Sequence, residues 1–291
     1  MYYRYLSIAW LVWLVGCKPQ ADQADAYGNF ETIEVIVSAE AQGRILSFEH
    51  KEGAGLKAGE MIALIDTTAL HLKKKQLLTG RSSLRSRIKT LEAQVDVNLV
   101  QLENLEKEKQ RIDRLLEGGA ATPKQRDDMA DRIELLKAQI EAIRTQKASV
   151  YAEEETLDVQ IEQAEDQIRK CTVRNPEDGI LLTKYKEKGE ITVPGQPLYK
   201  MANMDLLILR AYVTGDQLSQ IETGQEVTVR YDVPDGLEEI SGQITWISPQ
   251  AEFTPKIIQT REERVNLVYA IKVLVTNDGS LKIGMPGEVV F

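Results

Sequence analysis

The sequence predicts an α+β fold in which a long antiparallel α-helical hairpin is inserted into a split β-sandwich and is followed by a small β-barrel. Three observations support this prediction. A glycine-containing segment recurs on both sides of residues 67–170, those residues carry a heptad repeat, and short alternating strands follow residue 204. An aromatic content of only 6%, together with the abundance of Glu, Lys, Gln, Leu and Ile in the middle third of the chain, also favours long helices over one large mixed sheet.

Residues 1–16 have the pattern of a secretion signal. Arg4 supplies a positive start, and residues 5–15 form an apolar stretch shorter than the ~20 residues that a membrane-spanning helix needs. The sequence Leu14-Val15-Gly16-Cys17 resembles the lipobox of bacterial lipoproteins, which predicts a lipid on Cys17. Residues 17–27 lack apolar periodicity and are expected to form a flexible, lipidated tether. The alternatives are an uncleaved anchor helix and a coincidental cysteine.

The internal repeat relates residues 43–65 to residues 179–201 without a gap. Each copy alternates short apolar runs with glycines, and glycine supplies the positive φ that tight turns require. The predicted turn glycines are Gly43, Gly53 and Gly59 in the first copy and Gly179, Gly189 and Gly195 in the second. Since neither copy can bury its apolar face alone, residues 38–66 and 171–203 are expected to pack together as one β-sandwich.

The insert between the copies, residues 67–170, predicts two antiparallel helices joined at a tip over residues 117–123. Apolar residues recur at alternating spacings of three and four, which is the seam of a coiled coil. The first seam contains Leu77, Leu84, Ile88, Leu91, Val95, Leu102, Leu105, Ile112 and Leu116. The second contains Met129, Ile133, Leu136, Ile140, Ile143, Val150, Leu157, Ile161, Ala164 and Ile168.

Residues at the tip carry the signals for one helix to end and the next to begin. Gly118 and Gly119 are expected to stop the first helix, Thr122 to cap the second, and Pro123 to occupy its first position. Helices of this length make a rod on the order of 70 Å long. Such a length suits reaching across a compartment, although periodicity alone is equally typical of a coiled coil without a special partner.

After the second copy, residues 204–291 predict a small β-barrel built from short alternating strands. Residues 28–37, with a strand at 32–37, are expected to pair into this barrel.

Composition and charge exclude several classes of function. A net charge of −9 argues against a nucleic-acid partner, because phosphate binding needs a basic face. The chain has two cysteines and two histidines, and none stands at the spacing of a zinc site or a nucleophile and base pair. We therefore expect no catalytic residues, no metal site and no cofactor.

Together, the split repeat and the inserted hairpin resemble the HlyD-type membrane fusion proteins, the periplasmic adaptors of tripartite efflux and secretion systems. The resemblance covers the chain from about residue 28 to Phe291, and it implies that the sandwich is a lipoyl-like domain. Around the tip, Arg111, Leu115 and Thr122 fit the family pattern Arg-x3-Leu-x6-Ser, with threonine in place of serine. In these adaptors the pattern contacts a TolC-like outer-membrane channel. The alternative is that these residues serve only the seam, the solvent and the helix cap.

The resemblance implies a non-enzymatic adaptor that forms a homo-oligomeric ring of six copies and is anchored by its lipid to the inner membrane of a Gram-negative cell, facing the periplasm. Residues 248–264 and 281–287 look like barrel segments of adaptors that serve ABC-type exporters. An adaptor of a proton-driven RND pump and a structural coiled-coil envelope lipoprotein are the alternatives. A lipoyl or biotinyl carrier of an enzyme is disfavoured, because the hairpin replaces the turn that would carry the modified lysine.

Overall fold

The computed structural model describes residues 24–234, 236–253 and 267–291. It confirms the predicted α+β fold: a helical hairpin, a β-sandwich of two sheets and a closed β-barrel. Cys17 and the whole proposed signal lie outside the described residues.

The hairpin consists of α1 (Thr68–Glu117) and α2 (Pro123–Lys170), which pack along the seam that the heptads predict. All the apolar seam residues named above are buried or half-buried. Val150, for example, is 1% exposed and packs with Ile88 and Leu91. Two charged residues that interrupt the seam are paired across it: Lys147 lies 3.5 Å from Glu92, and Glu154 lies 2.6 Å from Arg85.

Eight strands form the sandwich, four before the hairpin and four after it. They are β2 (Glu34–Ser38), β3 (Gly43–Ser47), β4 (Gly55–Leu56), β5 (Met61–Ile65), β6 (Thr172–Arg174), β7 (Gly179–Lys184), β8 (Ile191–Thr192) and β9 (Pro197–Ala202). One sheet has the order β2-β9-β7-β4 and the other β6-β5-β3-β8, so each contains strands from both halves. Neither half can therefore form its sheet alone.

A local two-fold symmetry relates the two halves of the sandwich. The amide of Gly53 donates to the carbonyl of Leu181 at 2.8 Å, and the amide of its counterpart Gly189 donates to the carbonyl of Ile45, also at 2.8 Å. The strand pairs β4–β7 and β3–β8 are related in the same way. The repeat in the sequence thus encodes reciprocal contacts that close one domain around the base of the hairpin.

The six glycines of the repeat have two different roles. Four have positive φ: Gly53 at 84°, Gly59 at 75°, Gly189 at 95° and Gly195 at 86°. The prediction of a turn was wrong for Gly43 and Gly179, which begin strands β3 and β7 without positive φ. These two permit close packing instead, because a methyl group added at Gly179 would lie 2.5 Å from the carbonyl oxygen of Ala202.

The strands of the barrel are β1 (Ala26–Glu31), β10 (Leu206–Thr214), β11 (Glu226–Val233), β12 (Gly236–Phe253), β13 (Leu267–Thr276) and β14 (Pro286–Val290), and a 3₁₀ turn covers Gln217–Gln220. The barrel closes in the strand order β1-β10-β13-β12-β11-β14. Inward side chains alternate with outward ones, and Phe30, Leu209, Ile244 and Val273 are fully buried in its core.

The prediction that a strand at 32–37 joins the barrel was wrong. The barrel strand is β1, which includes Ala26 and Tyr27 from the expected tether, and the next strand, β2, pairs with β9 in the sandwich. The chain passes between the domains at Thr32, whose hydroxyl donates to the carbonyl of Asn203 at 2.9 Å. No glycine or proline marks this crossing, so the two strands look like one in the sequence.

Candidate functional site at the hairpin tip

The first helix ends in a hydrogen-bonded cap made by the backbone itself. The amide of Gly119 donates to Leu116 at 3.0 Å and that of Ala120 to Leu115 at 2.7 Å, which is the Schellman arrangement. Gly119 has a φ of 75°, a conformation that costs a residue with a side chain about 1–2 kcal/mol. The chain can therefore reverse within a few residues.

The second helix begins with a capping box. The Thr122 hydroxyl accepts from the amide of Gln125 at 3.3 Å, and the Gln125 side-chain oxygen accepts from the amide of Thr122 at 2.8 Å. Pro123 follows at the first helical position. Because both helix ends satisfy their own polar groups, the tip is ordered by its own sequence.

A shallow groove of about 310 Å³ runs between the helices just behind the turn. We call it the tip groove. It is lined by Glu108, Arg111, Ile112 and Leu115 of α1, by Ala120 and Ala121 of the turn, and by Gln125, Asp128, Met129 and Arg132 of α2. Half-buried Ile112 and Met129 belong to the seam, while the charged side chains stand along the rim. The groove can therefore take an apolar side chain with polar groups around it.

The predicted residues divide between the groove and the cap. Arg111 is 66% exposed and its guanidinium donates to Glu108 at 2.6 Å, and Leu115 is 42% exposed. Both line the groove. Thr122 does not, since its hydroxyl is used in the capping box, and it acts on the groove only by holding Gln125.

Sequence reasoning missed four polar residues of the groove: Glu108, Gln125, Asp128 and Arg132. Most of them could have been found from their positions in the heptad repeat, which show on which side of the helix a residue lies relative to the seam. Glu108, Arg111 and Leu115 project from one side of α1, and Asp128 and Arg132 project from the matching side of α2.

The rest of the described chain offers little chemistry. Within residues 24–234, 236–253 and 267–291, no group of three or more histidine, cysteine or acidic side chains is placed to hold a metal ion. Cys171 is fully buried, its thiol donates to the carbonyl of Gln167 at 3.3 Å, and burial raises its pKa. His50 pairs with Glu60 at 3.1 Å. In the same described ranges, no helix is both long and apolar enough to cross a bilayer.

No protein-family model matches the chain. It is 28% identical over 291 aligned residues to the UPF0194 membrane protein in asrC 5'region of Acidithiobacillus ferridurans, with 90% of this chain and 85% of that protein covered.

Solved structures share the fold, and two of them illustrate it. MacA from Actinobacillus actinomycetemcomitans aligns with a TM-score of 0.67 and 19% identity over 91% of this chain and 76% of its own. The periplasmic adaptor protein EmrA aligns with a TM-score of 0.54 and 18% identity over 91% of this chain and 97% of its own. The chain therefore has the fold of the membrane fusion proteins, the periplasmic adaptors that its sequence resembles.

Proposed function

We propose that the chain is the periplasmic adaptor subunit of a tripartite efflux or secretion system. It links an inner-membrane ABC-type transporter to a TolC-like outer-membrane channel and catalyses no reaction itself. The observation that carries the proposal is the tip groove: an exposed, preformed site at the end of a rod, remote from both β-domains. A site placed there can meet a partner that the barrel and the sandwich do not reach.

The other parts of the chain have matching roles in this proposal. Cys17 carries the lipid that ties the protein to the inner membrane, and the β-domains near that end contact the transporter. The tip groove contacts the channel through the Leu115 side chain and the Arg111 guanidinium, whose planar fork of donors suits carboxylates and carbonyls. Several copies form a ring, six in number as the resemblance implies, and export is driven by the transporter.

Export by cells that carry single-residue variants tests the proposal. Leu115→Asp and Arg111→Ala should abolish or strongly reduce export while the protein level and its helical CD spectrum stay unchanged, because both side chains are exposed.

Each variant has a matched control on the same hairpin. Leu99 on α1 is 39% exposed and is the control for Leu115. Arg169 is 68% exposed and forms an ion pair with Asp166, three positions before it in the sequence, just as Arg111 does with Glu108. Leu99→Asp and Arg169→Ala should leave export intact. If all four variants export normally, the chain is a structural spacer and not an adaptor.

Two further measurements separate the remaining possibilities. Purification of the full chain from membranes after chemical crosslinking should recover an ABC ATPase and permease, whereas recovery of a proton-driven pump would replace the ABC-type partner. Intact mass should give the acylated chain that begins at Cys17. An added lipoate or biotin on a lysine would instead support a carrier subunit.

A further inference from the structure

The hairpin has two broad sides, which differ near the tip. On one of them the acidic residues of α1 are paired: Asp113 lies 2.9 Å from Lys109, and Glu106 lies 3.3 Å from Lys137 of α2. The tip groove opens on the other, which we call the groove side. A charge without a partner in its own chain gains more from a binding partner than a paired one does, so the unpaired charges of the groove side decide what can bind there.

On the groove side, α2 carries two charges that no described residue neutralises. Asp128 and Arg132 line the groove and are exposed, and neither forms an ion pair or a hydrogen bond with another described residue. Arg111, on α1, already pairs with Glu108 at 2.6 Å. The unpaired charges of the groove therefore stand on α2, with the negative charge one helical turn nearer the tip than the positive one.

Two exposed leucines lie on the same side as these charges. Between residues 101 and 142, all of which the structure describes, Leu115 and Leu135 are the only large apolar side chains that are exposed, at 42% and 62%. Leu115 lines the groove, and Leu135 lies one turn beyond Arg132 on the same side of α2, just outside the groove. A single exposed leucine is ordinary, but two on one side with unpaired charges beside them are typical of a docking surface.

The ion pair between Glu106 and Lys137 fixes how far apart the two leucines lie along the rod. Measured from that pair at ~1.5 Å per residue, Leu115 lies about 14 Å nearer the tip and Leu135 about 3 Å nearer. Their separation along the rod is therefore on the order of 10 Å, which is about two turns of an α-helix. Residues i and i+7 of a helix that lies along the groove side have the same spacing.

We infer that the contact with the outer-membrane channel extends from the tip groove along the groove side to Leu135, and that Asp128 and Arg132 select the partner. This inference rests on the proposed function and states the chemistry of the surface that the partner offers. That surface is an α-helix with apolar side chains at i and i+7, a basic side chain that faces Asp128, and an acidic side chain one turn farther from the tip that faces Arg132. A partner with the two charges exchanged brings like charges together and is rejected.

Photocrosslinking of the full chain in cells tests whether the channel covers Leu135. Benzoylphenylalanine incorporated at position 135 should crosslink on irradiation to the outer-membrane channel, identified by mass spectrometry. Position 134 is the matched control, because Glu134 is equally exposed and faces the other broad side, and it should give no channel product. The inference is overturned if position 135 crosslinks only to a second copy of this chain, if it gives no product, or if position 134 crosslinks to the channel as well.

Charge reversal tests whether the two unpaired charges select the partner. Asp128→Lys and Arg132→Glu should each reduce export about tenfold at an unchanged protein level, because each places like charges in contact. Glu134→Lys and Arg144→Glu, both exposed on the other broad side, are the matched controls and should export normally. The double variant Asp128→Arg with Arg132→Asp keeps the net charge of the chain and should export no better than either single variant. Recovery of export in the double variant would mean that the two charges act only on each other, which contradicts the inference.

Comparison with Leu115→Asp separates this inference from the proposed function. Leu135→Asp should also reduce export at an unchanged protein level, because the side chain it replaces is exposed. If Leu115→Asp abolishes export while Leu135→Asp, Asp128→Lys and Arg132→Glu leave it unchanged, the adaptor function stands and the extended contact is wrong. If none of the four variants changes export, the proposed function fails together with the inference.

Discussion

Alanine substitution at four glycines of the repeat should lower stability by three different amounts, depending on what each glycine does in the sandwich. Alanine at Gly53 or at its counterpart Gly189 meets no atom within 4 Å, so its cost is conformational. Positive φ costs alanine about 1–2 kcal/mol, and the lower entropy of the unfolded chain offsets about 0.4–1 kcal/mol of this. The two variants should therefore lose similar amounts of folding free energy, about 0–1.6 kcal/mol each.

Alanine at Gly179 acts through a clash and should cost more, about 2–3 kcal/mol or above. Its methyl group would lie 2.5 Å from the carbonyl oxygen of Ala202 and 2.6 Å from the Met201 methyl carbon, so β7 has to move away from β9. At Gly43 the nearest atom is the Ile65 methyl carbon at 2.8 Å, which belongs to a side chain, and we expect an intermediate loss. The symmetry-related turn glycines, Gly53 and Gly189, should thus give equal stability losses, whereas the symmetry-related packing glycines, Gly43 and Gly179, should not.

Hydrogen exchange detected by mass spectrometry can measure these losses of folding free energy. Peptides from residues 43–65 and 179–201 report on the sandwich separately from the hairpin and the barrel. Gly55→Ala is the control, because that position has neither positive φ nor a neighbour within 4 Å. Its exchange should stay near that of the unchanged chain. The reasoning is refuted if Gly179→Ala is no more harmful than Gly189→Ala, or if Gly53→Ala and Gly189→Ala differ by more than ~1 kcal/mol.

Three other substitutions address the hairpin and the sandwich core. Val150→Ala should lower the free energy of unfolding by about 1–2 kcal/mol, because methyl groups leave a buried cluster, and an unchanged urea midpoint of the helical CD signal would contradict this. Thr122→Ala should cost about 1 kcal/mol and speed amide exchange at Gln125, whereas Thr122→Ser should keep the cap. Tyr199→Phe should cost about 1–3 kcal/mol, since Asn175 loses its buried partner at 2.8 Å. Burial, with a smaller effect of the nearby Glu60 charge, raises the pKa of Tyr199 above its ordinary value of 10.0, so the unfolded chain loses this proton first. Stability should therefore fall above that pH by up to ~1.4 kcal/mol per pH unit, and the fall should be smaller in Tyr199→Phe.

The sequence was most informative where structure depends on local periodicity. The hairpin follows from a repeat that each helix carries by itself, and even Asn98 and Lys109, which interrupt the apolar seam, lie half-buried on it. The ion-pair partners of the two charged seam residues, Lys147 and Glu154, could not be predicted from this repeat. That Lys147 meets Glu92 and Glu154 meets Arg85 depends on how the helices are aligned, which a single helix does not encode.

Predictions were weaker where residues far apart in the chain meet. β1 and β2 show the same alternation of side chains, and only pairing with β10 and β9 assigns them to different domains. The roles of Gly43 and Gly179 likewise depend on strands across the sheet. At the tip, the sequence pattern selected two residues of the groove, while its polar rim required both helices in place.

The way the tip is built affects what a partner must contribute to bind there. The Schellman turn at Gly119 and the capping box at Thr122 satisfy the helix ends within the chain, so no partner is needed to order them. Binding at the tip groove then costs mainly the immobilisation of exposed side chains such as Arg111 and Leu115. Substitutions of those side chains should change affinity and leave folding intact, whereas loss of the cap should weaken both by loosening the frame that holds Gln125. Measured together, the two kinds of variant separate contact with a partner from preorganisation of the site.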